Sequence, residues 1–216
     1  MSIKVFPSLL AADFSKIEKE IKKVESAGAE GIHLDVMDNK YVPNETFPIE
    51  KIKSFYEKIS LPLDIHLMIE KPEELIDQYL QFKPSSLSFH VEASNKPEKL
   101  IQKIKSKGCK VGLAVNAKIP VDSVFPFLEE IDFVLIMTVE AGFGGQKFIE
   151  ENLEKIKKLN EIKKEKSLSF EIEVDGGINT ENSKQLIKSG ANILVSGSTI
   201  FKSDSFSETI RKLKLT

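Results

Sequence analysis

Strand-like and helix-like segments alternate from one end of this chain to the other, and the alternation completes eight rounds. Runs rich in Val, Ile, Leu and Phe fall at residues 3–7, 31–36, 62–67, 86–91, 110–115, 132–138, 170–175 and 193–196. Between them lie charged stretches whose apolar residues recur at three- and four-residue spacing, the period of one helix face. Residues 13–27 carry Ile17, Ile21 and Val24 on such a stripe. Residues 97–107 carry Leu100, Ile101 and Ile104, and residues 152–163 carry Leu153, Ile156, Leu159 and Ile162. Local signals agree. Pro72 before Glu73 and Glu74, and Asn179-Thr180-Glu181, are helix starts; Gly28, Gly108 and Gly190 follow helix-like stretches as stops.

Eight such rounds in 216 residues predict an α/β protein built as one (β/α)8 barrel domain, residues 1–216. An open doubly wound sheet has the same alternation. The barrel is preferred because the count reaches eight without a large leftover. In addition, Pro7-Ser8-Leu9 follows the first strand-like run, where a dinucleotide-binding sheet places a Gly-x-Gly-x-x-Gly turn.

The bulk numbers remove several function classes. With 31 basic and 33 acidic residues mixed along the chain, there is no electrostatic case for nucleic acid or an anionic membrane as main partner. The lysine- and glutamate-rich residues 155–166 read as a solvated helix face. No apolar run approaches the ~18 residues of a membrane span. Lone Cys109 allows no intramolecular disulfide and fits a reducing compartment. The first residues lack the apolar stretch of a secretory signal. The expectation is a cytoplasmic protein.

Side chains alternate across a strand, so residues two apart share a face. His33, Asp35 and Met37 therefore point one way, as do Asp64, His66 and Met68 on the next strand-like run. In a (β/α)8 barrel the site lies at the C-terminal strand ends. There the chain gathers His33, Asp35, His66 and, ending the run at 170–175, Asp175. Two histidines and two carboxylates suit a divalent transition metal such as Zn, Fe, Mn or Co through nitrogen and oxygen donors. Asp35 and Asp175 belong to runs three apart in a ring of eight and are expected to face each other across much of the mouth. Opposed carboxylates can act as acid and base on the two faces of a carbon centre, with a metal between them holding substrate oxygens and stabilising an enediolate. Glycoside hydrolysis also uses two carboxylates but needs no histidines. Met37, Met68 and Met137 read either as core filler or as an apolar collar round the mouth. His90, in phase before Glu92, reads as a supporting residue and not a ligand.

Three consecutive loops carry glycines suited to an anion: Gly142-Phe143-Gly144-Gly145-Gln146, Gly176-Gly177 and Gly197-Ser198. Glycines let backbone N–H groups converge on a phosphate, and loops after the last two barrel strands commonly bind one. Phe143 and Gln146 make the first loop a candidate lid, or a packed surface loop.

Taken in order, these strings resemble the ribulose-phosphate 3-epimerase family over nearly the whole chain. The resemblance rests on Pro7-Ser8-Leu9-Leu10-Ala11-Ala12-Asp13, on His33-Leu34-Asp35-Val36-Met37-Asp38, and on Pro62-Leu63-Asp64-Ile65-His66-Leu67-Met68. It continues through His90-Val91-Glu92, Gly142-Phe143-Gly144-Gly145-Gln146-Lys147-Phe148, Val174-Asp175-Gly176-Gly177 and Gly197-Ser198. It implies a barrel of the ribulose-phosphate-binding type that interconverts D-ribulose 5-phosphate and D-xylulose 5-phosphate. It implies His33, Asp35, His66 and Asp175 as ligands of one divalent metal, Zn or Fe(II) being typical. Asp35 and Asp175 become the acid/base pair at C3, and Ser8 and His66 contact substrate near the metal. Backbone groups of Gly142 to Gly145, Gly177, Gly197 and Ser198 hold the phosphate. A homo-oligomer is expected.

Three positions depart from the family pattern: Asn39 where Gly is usual, Thr46-Phe47-Pro48-Ile49 where a Gly-Pro pair is usual, and Glu140-Ala141 where Asn-Pro is usual. Asn tolerates left-handed backbone. Glu140 brings a negative charge beside the phosphate loop and is expected to point to solvent. A D-allulose 6-phosphate 3-epimerase remains an alternative on the same site, and a non-catalytic sugar-phosphate or metal sensor is a further one. Related synthases and decarboxylases are disfavoured, because Asp35-Val36-Met37-Asp38 stands where their Asp-x-Lys-x-x-Asp would be.

Overall fold

The computed structural model describes residues 2–215; Met1 and Thr216, the two ends of the expected domain, lie outside the described residues. Eight parallel strands form the wall of the barrel: β1 (Lys4–Pro7), β2 (Ile32–Asp38), β4 (Leu63–Met68), β5 (Ser86–His90), β6 (Lys110–Val115), β7 (Phe133–Met137), β8 (Glu171–Asp175) and β9 (Ile193–Ser196). Hydrogen-bonded neighbours run β1-β9-β8-β7-β6-β5-β4-β2, and a parallel bridge between Ser8 and His33 joins the two ends of the series. A two-residue strand the sequence does not signal, β3 (Glu45–Thr46), adds antiparallel to the end of β2.

Helices α1 (Ile17–Ser26), α2 (Ile49–Phe55), α3 (Pro72–Leu80), α4 (Pro97–Ser106), α5 (Leu153–Glu165), α6 (Ser183–Ser189), α7 (Ser198–Phe201) and α8 (Phe206–Leu213) cover the outside. The stripes read from spacing are the buried ones: Ile21 and Val24 on α1, Leu100, Ile101 and Ile104 on α4, Ile156 and Leu159 on α5. Gly28, Gly108 and Gly190 all take positive φ just after a helix. One connection differs from the expected pattern. Between β6 and β7 the chain forms a 3-10 segment, Val121–Phe127, in place of an α-helix. Pro126 inside it has no N–H to donate and restricts the residue before it, which disfavours α-helical turns.

Outward-facing strand residues such as Ile32, Leu34, Val36, Ile65, Leu67, Val134 and Val174 pack under the helices in one continuous apolar layer. The inside of the barrel is divided. Phe6, Ile193 and Val195 form one apolar cluster, and Ala114, Phe133, Leu135 and Met137 belong to another. The rows contributed by β2, β4, β5 and β8 are polar: His33, Asp35, Asp64, His66, Ser88, His90 and Glu173 are all buried. Gly112 makes room for the apolar half, since a Cβ there would meet the Phe133 ring at 2.3 Å.

Candidate active site and metal centre

Strand register assembles the polar half. Across β2 and β4, His33 pairs with Asp64, Asp35 with His66 and Met37 with Met68. On the far side Met137 of β7 pairs with Asp175 of β8. Ring closure then brings β8 round to β2. His33, Asp35, His66 and Asp175 each offer a donor atom, and those atoms all lie within 4.8 Å of one another. Asp35 and Asp175 are therefore much closer than their separation in strand order suggests. The barrel narrows enough at this level for residues three strands apart to converge on one point.

The arrangement fits a cation. His33 Nε2 and His66 Nδ1 are buried ring nitrogens with no hydrogen-bond partner. They lie 3.3 Å and 3.5 Å from the same oxygen, Asp35 Oδ1. Donors about 2.1 Å from a shared tetrahedral ion stand about 3.4 Å apart, so each nitrogen already stands from that oxygen at the spacing of one ligand sphere. The second oxygen of Asp35 accepts from Ser8 Oγ at 2.5 Å. The far nitrogen of His33, Nδ1, bonds Asp64 Oδ2 at 2.6 Å, and Asp64 Oδ1 accepts from Ser86 Oγ at 2.5 Å. Outer carboxylates of this kind orient ligating imidazoles.

Charge supports the same reading. Asp35, Asp64, Glu173 and Asp175 surround the imidazoles, while no lysine or arginine is buried among the described residues. Burial alone would push the His33 imidazole down, but Asp35, Asp64 and Glu173 outweigh it and hold the ring well above its usual value. Burial would likewise raise Asp35, yet His33 and His66 keep it far below the usual carboxylate range. Asp175 goes the other way: burial, then the Asp35 charge, pushes it up to about 8. A positive ion beside Asp175 would lower that value. His66, penalised mainly by burial, drops to about 4 and is neutral at physiological pH, the form a metal needs.

Above the cluster opens a cavity of about 330 Å³. Ser8, Asp35 and Asp175 lie at its base and Met37, Met68 and Met137 on its wall. Gly142 to Gln146, Gly176, Gly177, Gly197 and Ser198 line the rest, joined by Lys202. His33 and His66 are fully buried beneath it. Side chains staple these loops together. Gln146 Nε2 donates to the carbonyls of Glu140 (2.6 Å) and Phe143 (2.8 Å), and Asn44 Nδ2 donates to that of Gly142 (3.2 Å). Thr138 Oγ1 donates to the carbonyls of Asp175 and Gly176, and Thr199 Oγ1 to that of Ile178. Phe143 is 54% exposed, so the loop tip is not packed into the core. Glu140 lines the rim and pairs with Lys118 at 3.1 Å, which offsets its charge. Asn39 takes φ 55, the left-handed geometry expected of it.

Several supporting residues escape a reading by motif. Asp64 and Glu173 are in phase with His66 and Asp175, which was the available signal. Their partners were not readable, because the contacts cross strands. Glu173 is buried with neither oxygen hydrogen-bonded, its Oε1 3.4 Å from His33 Nδ1; burial first, then the charge of Asp64, holds its carboxyl well above the usual range. Glu92 was visible only as the residue in phase with His90, and Tyr41 carried no signal.

Comparison with known proteins places this geometry in a lineage. The chain is 42% identical over 213 residues to the ribulose-phosphate 3-epimerase of Bacillus subtilis, covering 98% of each chain. It is 39% identical over 212 residues to the chloroplastic ribulose-5-phosphate-3-epimerase of Arabidopsis thaliana, covering 97% of this chain and 75% of that one. Among solved structures, a 3-hexulose-6-phosphate synthase superposes with a TM-score of 0.68 at 13% identity, covering 99% of this chain and 98% of the other, which speaks for the barrel fold alone. Residues 4–201 match the family model described as the ribulose-phosphate 3 epimerase family. With that match over nine-tenths of its length, and the His33, Asp35, His66 and Asp175 cluster beneath a glycine-lined mouth, the chain belongs to the ribulose-phosphate 3-epimerase family.

Proposed function

We propose that this protein, acting as one barrel domain, interconverts D-ribulose 5-phosphate and D-xylulose 5-phosphate by removing the C3 proton from one face and returning a proton to the other. The observation that carries this reading is the pair of unlike carboxyls, Asp35 and Asp175, within 4.8 Å of each other at the base of a cavity rimmed by three glycine-bearing loops. Asp35, held ionised by His33 and His66, suits the removal of the C3 proton from one face, and Asp175, the other carboxyl at the base of the cavity, suits the return of a proton to the opposite face. In the reverse direction the two exchange roles. Ser8 holds the second oxygen of Asp35 and so fixes the angle of its carboxylate. The three methionines keep water from the face where the carbanion develops, and the backbone of the glycine loops receives the phosphate.

His33, Asp35, His66 and Asp175 would hold one divalent ion, Zn or Fe(II) suiting this nitrogen and oxygen set. Such an ion supplies positive charge opposite the substrate oxygens that become negative when C3 loses its proton. The test is exchange of the C3 hydrogen in deuterated water. The expected result is xylulose 5-phosphate carrying deuterium at C3. A faster reaction with allulose 6-phosphate would move the reading to a six-carbon substrate, and absence of exchange with either sugar phosphate in metal-loaded protein would refute it.

A further inference from the structure

The two ligand histidines of the proposed metal site are held from behind in different ways. A neutral imidazole carries one N–H and one lone pair, and the partner of the outer nitrogen decides which nitrogen carries which. For His33 the outer partner is the Asp64 carboxylate at 2.6 Å. For His66 it is another ring: His66 Nε2 lies 3.0 Å from His90 Nε2, the ring centroids 5.0 Å apart. Two ring nitrogens bond only when one presents a proton and the other a lone pair, so this contact does not fix its own direction.

The other end of His90 does. His90 Nδ1 lies 3.2 Å from Glu92 Oε1, and an ionised carboxylate only accepts. The proton of the neutral His90 ring therefore sits on Nδ1, leaving Nε2 as a lone pair. His66 Nε2–H must donate to it, and His66 Nδ1 is left bare, which is the buried nitrogen without a partner. The same Glu92 oxygen accepts from Tyr41 Oη at 2.8 Å, and the Tyr41 ring covers His90 with centroids 4.8 Å apart. His90 itself is fully buried.

We propose that His90 and Glu92 are positioning residues that set the tautomer of His66, so that its Nδ1 presents a lone pair to the cation. This rests on the metal reading above, and the experiment separates the two. The chain has three histidines, so long-range proton–nitrogen NMR of the intact protein resolves each ring, with and without zinc. The expected result in both states is His66 protonated on Nε2 and His90 on Nδ1. His90 protonated on Nε2 would overturn the proposal. In zinc competition with a chelator, His90→Leu is expected to weaken binding about 10- to 100-fold, the usual cost of losing an outer partner. His90→Gln, whose side-chain oxygen can accept from His66 Nε2–H, is expected to recover most of that loss. Glu92→Ala leaves the buried ring in place and is expected to weaken zinc several-fold. Binding within about twofold of the parent in both His90→Leu and Glu92→Ala would overturn the assignment. If the parent protein binds no zinc, the metal reading fails, and the tautomers in the metal-free protein still decide whether the chain exists.

Discussion

At the scale of single residues, the site sets one side chain type in two opposite electrostatic surroundings. Asp35 and Asp175 differ only in surroundings: the first faces two imidazoles, the second faces the first. Asp35→Asn and Asp175→Asn are each expected to lower turnover by at least ~10²- to 10⁴-fold. Zinc content measured on the same samples separates lost acid/base function from lost metal; full metal with near-parent turnover would remove the assignment. Cys109 is the opposite case, a reactive group type made inert. Burial, with Asp64 and Asp132 nearby, pushes its thiol up to about 12. A raised value leaves only about one thiolate in 10⁴ at pH 8, so the folded protein should not react with iodoacetamide over an hour, whereas the unfolded chain should. Rapid labelling of native protein would show that Cys109 is not shielded. The four ligand-type residues were legible because strand alternation put them in phase. Asp64 and Glu92 were visible only as companions in phase with His66 and His90, because nothing local says which side chain a buried histidine will meet.

At the scale of elements, the loops above the strands depend on close backbone approach. Gly177 has φ +67, and a Cβ there would lie 2.7 Å from Phe148 N and 3.0 Å from the Gln146 carbonyl. Neither obstacle is a flexible side-chain tip. Gly177→Ala must therefore push the loops after β7 and β8 apart, and KM for the sugar phosphate is expected to rise at least about tenfold with a smaller change in kcat. An unchanged KM would mean that these loops do not hold the phosphate. Deeper in the barrel, Gly112→Ala would force the Phe133 ring aside, an overpacking expected to cost about 1–3 kcal/mol in urea unfolding. Helices and strands were legible from period alone. The short β3 and the 3-10 segment at Val121–Phe127 were not, since two residues carry no period and Pro126 acts through local sterics.

At the scale of the whole molecule, the barrel has a seam. β1 is laddered to β9 over four residues, but its other edge meets β2 through the single Ser8–His33 bridge. Glu30 fills the gap: its N–H donates to the Val5 carbonyl (3.2 Å) and its Oε2 accepts from the Val5 N–H (2.9 Å). Lys214, just past α8, donates to Glu30 Oε1 at 2.5 Å and to the Gly28 carbonyl at 2.8 Å. The last helix thus fastens the first strand. Glu30→Ala is expected to lower unfolding stability by about 1–3 kcal/mol, read from the urea midpoint, because it leaves the Val5 N–H unpaired. Lys214→Ala, at a partly exposed pair, should cost less. Equal and negligible losses would show that the seam is held otherwise. By itself the sequence determined the eightfold alternation, the faces of the helices and the residues that point into the barrel, because those follow from the periods of 2 and 3.6 along a local stretch of chain. Only the tertiary structure decided how closely Asp35 and Asp175 converge, that Asp64 and the His90–Glu92 pair stand behind His33 and His66, and that one part of the interior is polar. Those facts depend on strand register, which joins His33 to Asp64 and His66 to His90 across neighbouring strands, and on ring closure, which brings Asp175 to Asp35; no local pattern encodes either.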